Sequence, residues 1–109
     1  MQAEELRDLA VNALEDVKGV DVVVIDVRGK TAITDFMIVA TGTSDRHVKA
    51  LADNTLKEAR EAGIKPLGVE GEQSREWILL DMNDVVVHVM LREVRDFYGL
   101  EKLWSVDTE

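Results

Sequence analysis

The sequence predicts an α/β fold: one single-domain sandwich of helices on a mixed five-stranded sheet. Three observations predict it. Runs of β-branched and apolar residues at 20–27, 36–41 and 85–89 read as strands. A long amphipathic segment, 44–63, stands between two strand candidates, which implies a parallel crossover. Two apolar runs, 77–80 and 85–89, flank a short polar break and form a hairpin, so the last strands should be antiparallel.

The elements follow in chain order. Leu6, Leu9, Ala10, Ala13, Leu14 and Val17 recur at spacings of three and four, which is one apolar stripe on a helix, and Gly19 is expected to close it. The first strand, 20–27, is bounded by Gly19 and Gly29. The second, 36–41, is apolar throughout, as expected for a strand covered on both faces. Ser44 suits an N-cap and Asp45 the positive helix N-terminus. Val48, Leu51, Ala52, Thr55, Leu56 and Ala59 form the buried stripe of that helix, and Gly63 fits its left-handed terminus. Residues 65–70 make a weak strand whose proline points to an edge or a strand start. After the hairpin comes a short charged helix, from about 91 to 98. The order is α-β-β-α-β-β-β-α, with no repeat, low-complexity segment or linker.

Composition bounds the function. A length of 109 residues is that of one domain. With 46% hydrophobic and 32% charged residues, the chain has the balance of an ordinary globular protein. The absence of cysteine excludes disulfides, thiolate metal sites and thiol catalysis, and fits a reducing compartment. The start is acidic and amphipathic, without the basic and apolar regions of a signal peptide. The apolar runs stop far short of the roughly 20 residues of a membrane span. Thirteen basic against 22 acidic residues leave a net charge of −9. Such a chain repels phosphate backbones, and its natural charged partners are basic proteins.

Individual residues leave alternatives open. Gly42-Thr43-Ser44, between a strand and a helix, is either a turn with a cap or a phosphate cradle, but it lacks the lysine of a P-loop and the glycines of a dinucleotide fingerprint. A glycine-serine turn after a strand also suits a nucleotidyltransferase. Those enzymes hold divalent metals with two carboxylates at alternate positions of the next strand. Residues 65–70 have no such pair; Asp81 and Asp84 lie at the two ends of a turn, and Asp21 and Asp26 at opposite ends of a strand. His88 is either a hydrogen-bonded structural residue or a ligand or base, His47 is expected to be solvated, and the two lack a local metal spacing. Asp81 can cap the hairpin turn. Four of the five aromatics, Trp77, Phe97, Tyr98 and Trp104, fall in the last third. Trp77 suits core or interface. Tyr98, Leu100 and Trp104 either fold back on the domain or are offered to another chain, and large aromatics are the commonest anchors of partners.

Several blocks together resemble a known family. Gly29-Lys30, Thr34-Asp35-Phe36-Met37-Ile38-Val39-Ala40-Thr41-Gly42-Thr43-Ser44 and Arg46-His47-Val48 look like the first block of the bacterial ribosomal silencing factor family, RsfS, also called Iojap or YbeB. Glu70-Gly71, Trp77-Ile78-Leu79-Leu80-Asp81, Asp84-Val85-Val86-Val87-His88-Val89 and the span from Phe97-Tyr98 through Leu100-Glu101 to Leu103-Trp104 look like its second. The resemblance covers nearly the whole chain. It implies a nucleotidyltransferase-like fold without catalytic carboxylates, no enzyme activity, and no cofactor or metal. It further implies a cytoplasmic protein that binds the large ribosomal subunit through ribosomal protein fourteen of that subunit. There it blocks joining of the small subunit and represses translation in stationary phase or starvation. A homodimer in the free state and a part in large-subunit maturation are implied as well, and no sequence-specific nucleic-acid binding. The partner contacts expected on this reading are Trp77, Leu79, Tyr98, Leu100, Glu101 and Trp104. The rivals are a nucleotidyltransferase-like enzyme using Ser44 and stray carboxylates, and an acidic adaptor for another basic protein.

Overall fold

The computed structural model describes residues 1–100 and 102. The elements are α1 (Ala3–Asp16), β1 (Val20–Asp26), β2 (Phe36–Gly42), α2 (Asp45–Glu61), β3 (Gly68–Glu70), β4 (Trp77–Asp81), β5 (Val85–Leu91) and α3 (Arg92–Tyr98). Their order is the one expected. The five strands form one mixed sheet in the order β1-β2-β5-β4-β3. β2 pairs in parallel with β5, and every other neighbour is antiparallel. The crossover through α2 therefore leads from β2 to β3 on the far edge, and the hairpin returns β5 to the place between them.

Alternation along each strand divides the side chains between two faces. Phe36, Ile38 and Ala40 of β2, Ile78 and Leu80 of β4, and Val85, Val87 and Val89 of β5 share one face. α1 covers it with Leu6, Ala10 and Leu14, and α2 with Val48, Leu51, Ala52, Leu56 and Ala59. Each helix presents a single apolar stripe, and both lay it on this face. The opposite face holds a smaller cluster of Ile25, Val27, Met37, Val39 and Met90, against which Trp77, Val94 and Leu100 pack. β2, central and covered on both sides, is buried at every position.

Local chemistry explains the helix ends. The Glu5 carboxylate accepts the Gln2 backbone N–H at 2.8 Å and fastens the start of α1. The end of α1 departs from expectation: Lys18, with φ 67°, takes the left-handed turn, and Gly19 follows it. Gly19 donates to the Leu14 carbonyl at 2.9 Å, and a Cβ there would sit 3.0 Å from that oxygen. Close approach therefore selects glycine at 19. At α2 the Ser44 hydroxyl accepts the His47 N–H at 3.1 Å, and Gly63 takes the left-handed turn at the far end with φ 84°. Asp81 accepts the Asn83 N–H at 3.0 Å and caps the hairpin, as expected of it.

Candidate functional site

Among the described residues, the second face of the sheet is only partly covered. Trp77, Leu79 and Asp81 alternate onto it from β4, and Val86, His88 and Met90 from β5. Register places Trp77 opposite Met90 and Leu79 opposite His88. α3 crosses one end of this face. Its anchor is Arg95, 4% exposed, whose guanidinium donates to the Asp21 carbonyl at 2.7 Å and to the Thr41 hydroxyl at 2.8 Å. Arg92 adds an ion pair with Asp21. The helix is thus tied by charge to β1 and β2, while its aromatic end projects over β4.

That end builds an aromatic cluster. The ring centroids of Trp77 and Tyr98 are 4.8 Å apart, and those of Tyr98 and Phe97 are 5.0 Å apart and nearly perpendicular. Both separations lie within the range of favourable aromatic pairs. Burial falls outward along the cluster: Trp77 is half-buried, Tyr98 is 53% exposed and Phe97 is 81% exposed. Leu79 and Val86 are half-buried on the same face. Leu100 is half-buried and packs on the second core cluster beneath. Of the expected contacts, the structure brings Trp77 and Tyr98 together, with Leu79 on the same face and Leu100 packed below. Glu101 and Trp104 lie outside the described residues. Phe97 is the exposed aromatic that the expected set omits; its adjacency to Tyr98 was the available signal.

His88 lies under this cluster. It is 6% exposed and its Nδ1 accepts the Trp77 indole N–H at 2.9 Å. The bond assigns the ring proton to Nε2. Burial pushes the imidazole down to about 4, so it is neutral at physiological pH. Of the two readings of this residue, the hydrogen-bonded structural one describes its surroundings.

The turn at Gly42-Thr43-Ser44 is closed by its own side chains. The Thr43 N–H donates to His47 Nδ1 at 2.9 Å, and His47 Nε2 meets the Val17 carbonyl at 2.7 Å. His47 was expected in solvent; instead it ties the start of α2 to the end of α1. A Cβ on Gly42 would fall 2.6 Å from Val48 Cγ2 and 2.9 Å from Val48 N, so packing of α2 on β2 accounts for the glycine. Asp21 and Asp26, the β1 carboxylates that the sequence sets at opposite ends of a strand, are placed there. Asp26 is held down to about 2 by hydrogen bonds from Arg28. Among the described residues no three His, Asp or Glu side chains converge as a metal site. No described helix is long and apolar enough to cross a membrane.

These features define a class: small α/β proteins on one mixed sheet, with an aromatic cluster on the face the two long helices leave open. Comparison identifies the family within it. Residues 1–109 match the family model described as ribosomal silencing factor during starvation. A ribosomal silencing factor from Chromobacterium violaceum is 50% identical over 105 residues, covering 96% of this chain and 86% of that protein. One from Haemophilus influenzae is 46% identical over 100 residues, covering 92% of this chain and 98% of its own. A crystal structure of a Chromobacterium violaceum protein superposes with a TM-score of 0.95 at 48% identity, covering 100% of this chain and 91% of that one. The chain belongs to the ribosomal silencing factor family.

Proposed function

We propose that this protein is a non-catalytic repressor that docks on the large ribosomal subunit through that subunit's ribosomal protein fourteen. It acts sterically in the cytoplasm, in starvation or stationary phase: one small domain covers a surface that the small subunit needs. The observation that carries the reading is the aromatic cluster, Trp77, Tyr98 and Phe97, grading from half-buried to 81% exposed on the open sheet face. Aromatics presented on rigid elements are the usual anchors of an interface. Family membership supplies the ribosome as the setting. The net charge of −9 favours a basic protein over bare RNA as the contact. We assign Trp77, Leu79, Tyr98 and Leu100 to the docking surface, and Glu101 and Trp104 to partner contact on the family resemblance alone. In the free state the same apolar surface is available to a second copy, which gives the homodimer.

The test is subunit joining. Purified subunits mixed with excess protein at moderate magnesium should yield fewer full ribosomes on a gradient, with the protein migrating at the large-subunit position. Unimpaired joining with the protein left at the top of the gradient would refute the proposal. The enzyme reading is tested alongside: incubation with each nucleoside triphosphate and magnesium or manganese should give no transfer product.

A further inference from the structure

We propose that His88 is a positioning residue for the docking surface: its Nδ1 holds the Trp77 indole in the orientation that supports Tyr98 and presents an apolar plate to the partner. The inference rests on the docking role of this face. Trp77 opens β4 and sits at the edge of the second core cluster, with the end of α3 above it. A half-buried indole there can turn about its side-chain torsions. One directional bond opposes that turn, the 2.9 Å contact from Nε1 to His88 Nδ1. The acceptor is itself immobile, because His88 is central in β5, with Val39 of β2 on one side and Leu79 of β4 on the other. The two rings lie 5.8 Å apart and tilted by 48°, in contact without stacking. The indole also meets the Tyr98 ring, with centroids 4.8 Å apart and planes tilted by 51°, and Tyr98 in turn meets Phe97. The orientation set by His88 is therefore passed outward to the two exposed rings.

Two consequences follow. The indole N–H is engaged inside the protein, so a partner meets Trp77 as an apolar ring and not as a hydrogen-bond donor. Removing the acceptor should also weaken docking without removing any docking atom. The loss comes from orientation: an indole free to turn must be immobilised when the partner binds. Fixing one such side chain corresponds to roughly a three- to tenfold change in affinity.

The experiment is a double-mutant cycle on large-subunit binding with the full chain. His88→Leu should bind large subunits roughly three- to tenfold more weakly than wild type. His88→Asn, whose amide oxygen can replace Nδ1 as acceptor, should restore most of the affinity. Trp77→Phe keeps a ring and removes the N–H, so His88→Leu should cost nothing further in that background. A merely structural role for His88 would weaken both backgrounds equally. An indole ¹H–¹⁵N signal assigned by its loss in Trp77→Phe gives a readout independent of the ribosome. It should exchange slowly with solvent in wild type and His88→Asn, and fast in His88→Leu. Equal losses in the two backgrounds, or an indole proton that exchanges as fast in wild type as in His88→Leu, would overturn the proposal. If His88→Leu does not fold, wild-type exchange and His88→Asn binding decide alone: fast exchange, or tight binding with the indole proton unprotected, overturns it. If wild type itself fails to bind large subunits, the docking reading falls, while slow exchange would still establish the hydrogen bond that holds the ring.

Discussion

Tyr98→Ala separates a docking residue from a core residue. Tyr98 is 53% exposed, and its ring touches Trp77 at 4.8 Å and Phe97 at 5.0 Å. Each aromatic pair is worth about 0.5–1.5 kcal/mol when well packed. With about half of the ring in water, and with Phe97 itself 81% exposed, the lower end applies. Truncation should therefore cost about 1 kcal/mol of folding stability, a fall of roughly 4–8 °C in melting temperature for a domain of this size. A truncated interface anchor costs at least about 2 kcal/mol of binding, or roughly 30-fold in affinity. The variant should remain folded at 25 °C and lose far more binding than stability. Leu80→Ala provides the contrast. Leu80 is fully buried beneath the long helices, so truncation should cost about 2–5 kcal/mol of stability. Large-subunit binding by surface plasmon resonance and circular dichroism melts on the same samples give both numbers. Faster dissociation should account for most of the Tyr98→Ala loss. A folded Tyr98→Ala protein that melts near wild type and binds large subunits with wild-type affinity would remove this end of the chain from the interface.

Other outcomes follow from the same geometry. Because burial pushes His88 down to about 4 from an ordinary value near 6.5, the unfolded chain binds the extra proton first as pH falls. The stability associated with neutral His88 is therefore full above about pH 6.5 and is lost on acidification through about pH 4, by about 3 kcal/mol in total. Denaturant unfolding from pH 7.5 to 4 should show this loss, and His88→Asn should flatten it. Gly42→Ala forces a methyl group against the backbone of Val48, so it should lower the melting temperature markedly by pushing α2 off β2. Ser44→Ala removes the cap acceptor for the His47 N–H and should cost about 1 kcal/mol of stability, measured by urea titration. Phe97→Ala should leave the melt within about 0.5 kcal/mol of wild type and weaken large-subunit binding in the sedimentation assay.

Much of this protein was legible in one dimension. Hydrophobic spacing located both long helices, and β-branched runs located the strands in their order. The Ser44 cap, the left-handed Gly63 and the Asp81 turn follow from side-chain chemistry that acts over three or four residues, which sequence order preserves. The gathering of aromatics near the end of the chain already pointed to a surface. What sequence could not decide was anything requiring two distant segments to meet. The insertion of β5 between β2 and β4 is a long-range pairing, and apolar runs specify burial without naming a neighbour. His47 reads as an exposed polar residue near a helix start until the end of α1 arrives to offer the Val17 carbonyl. Lys18 takes the left-handed turn because the chain must reverse one residue before Gly19 meets the Leu14 carbonyl. His88 and Trp77 stand 11 residues apart and become partners only through the β4–β5 register. The open aromatic face has the same origin. Apolar stripes tell a helix to cover a sheet, but only the packing of α1 and α2 together on one face leaves the other, among the described residues, to the seven-residue α3 and Leu100 beyond it.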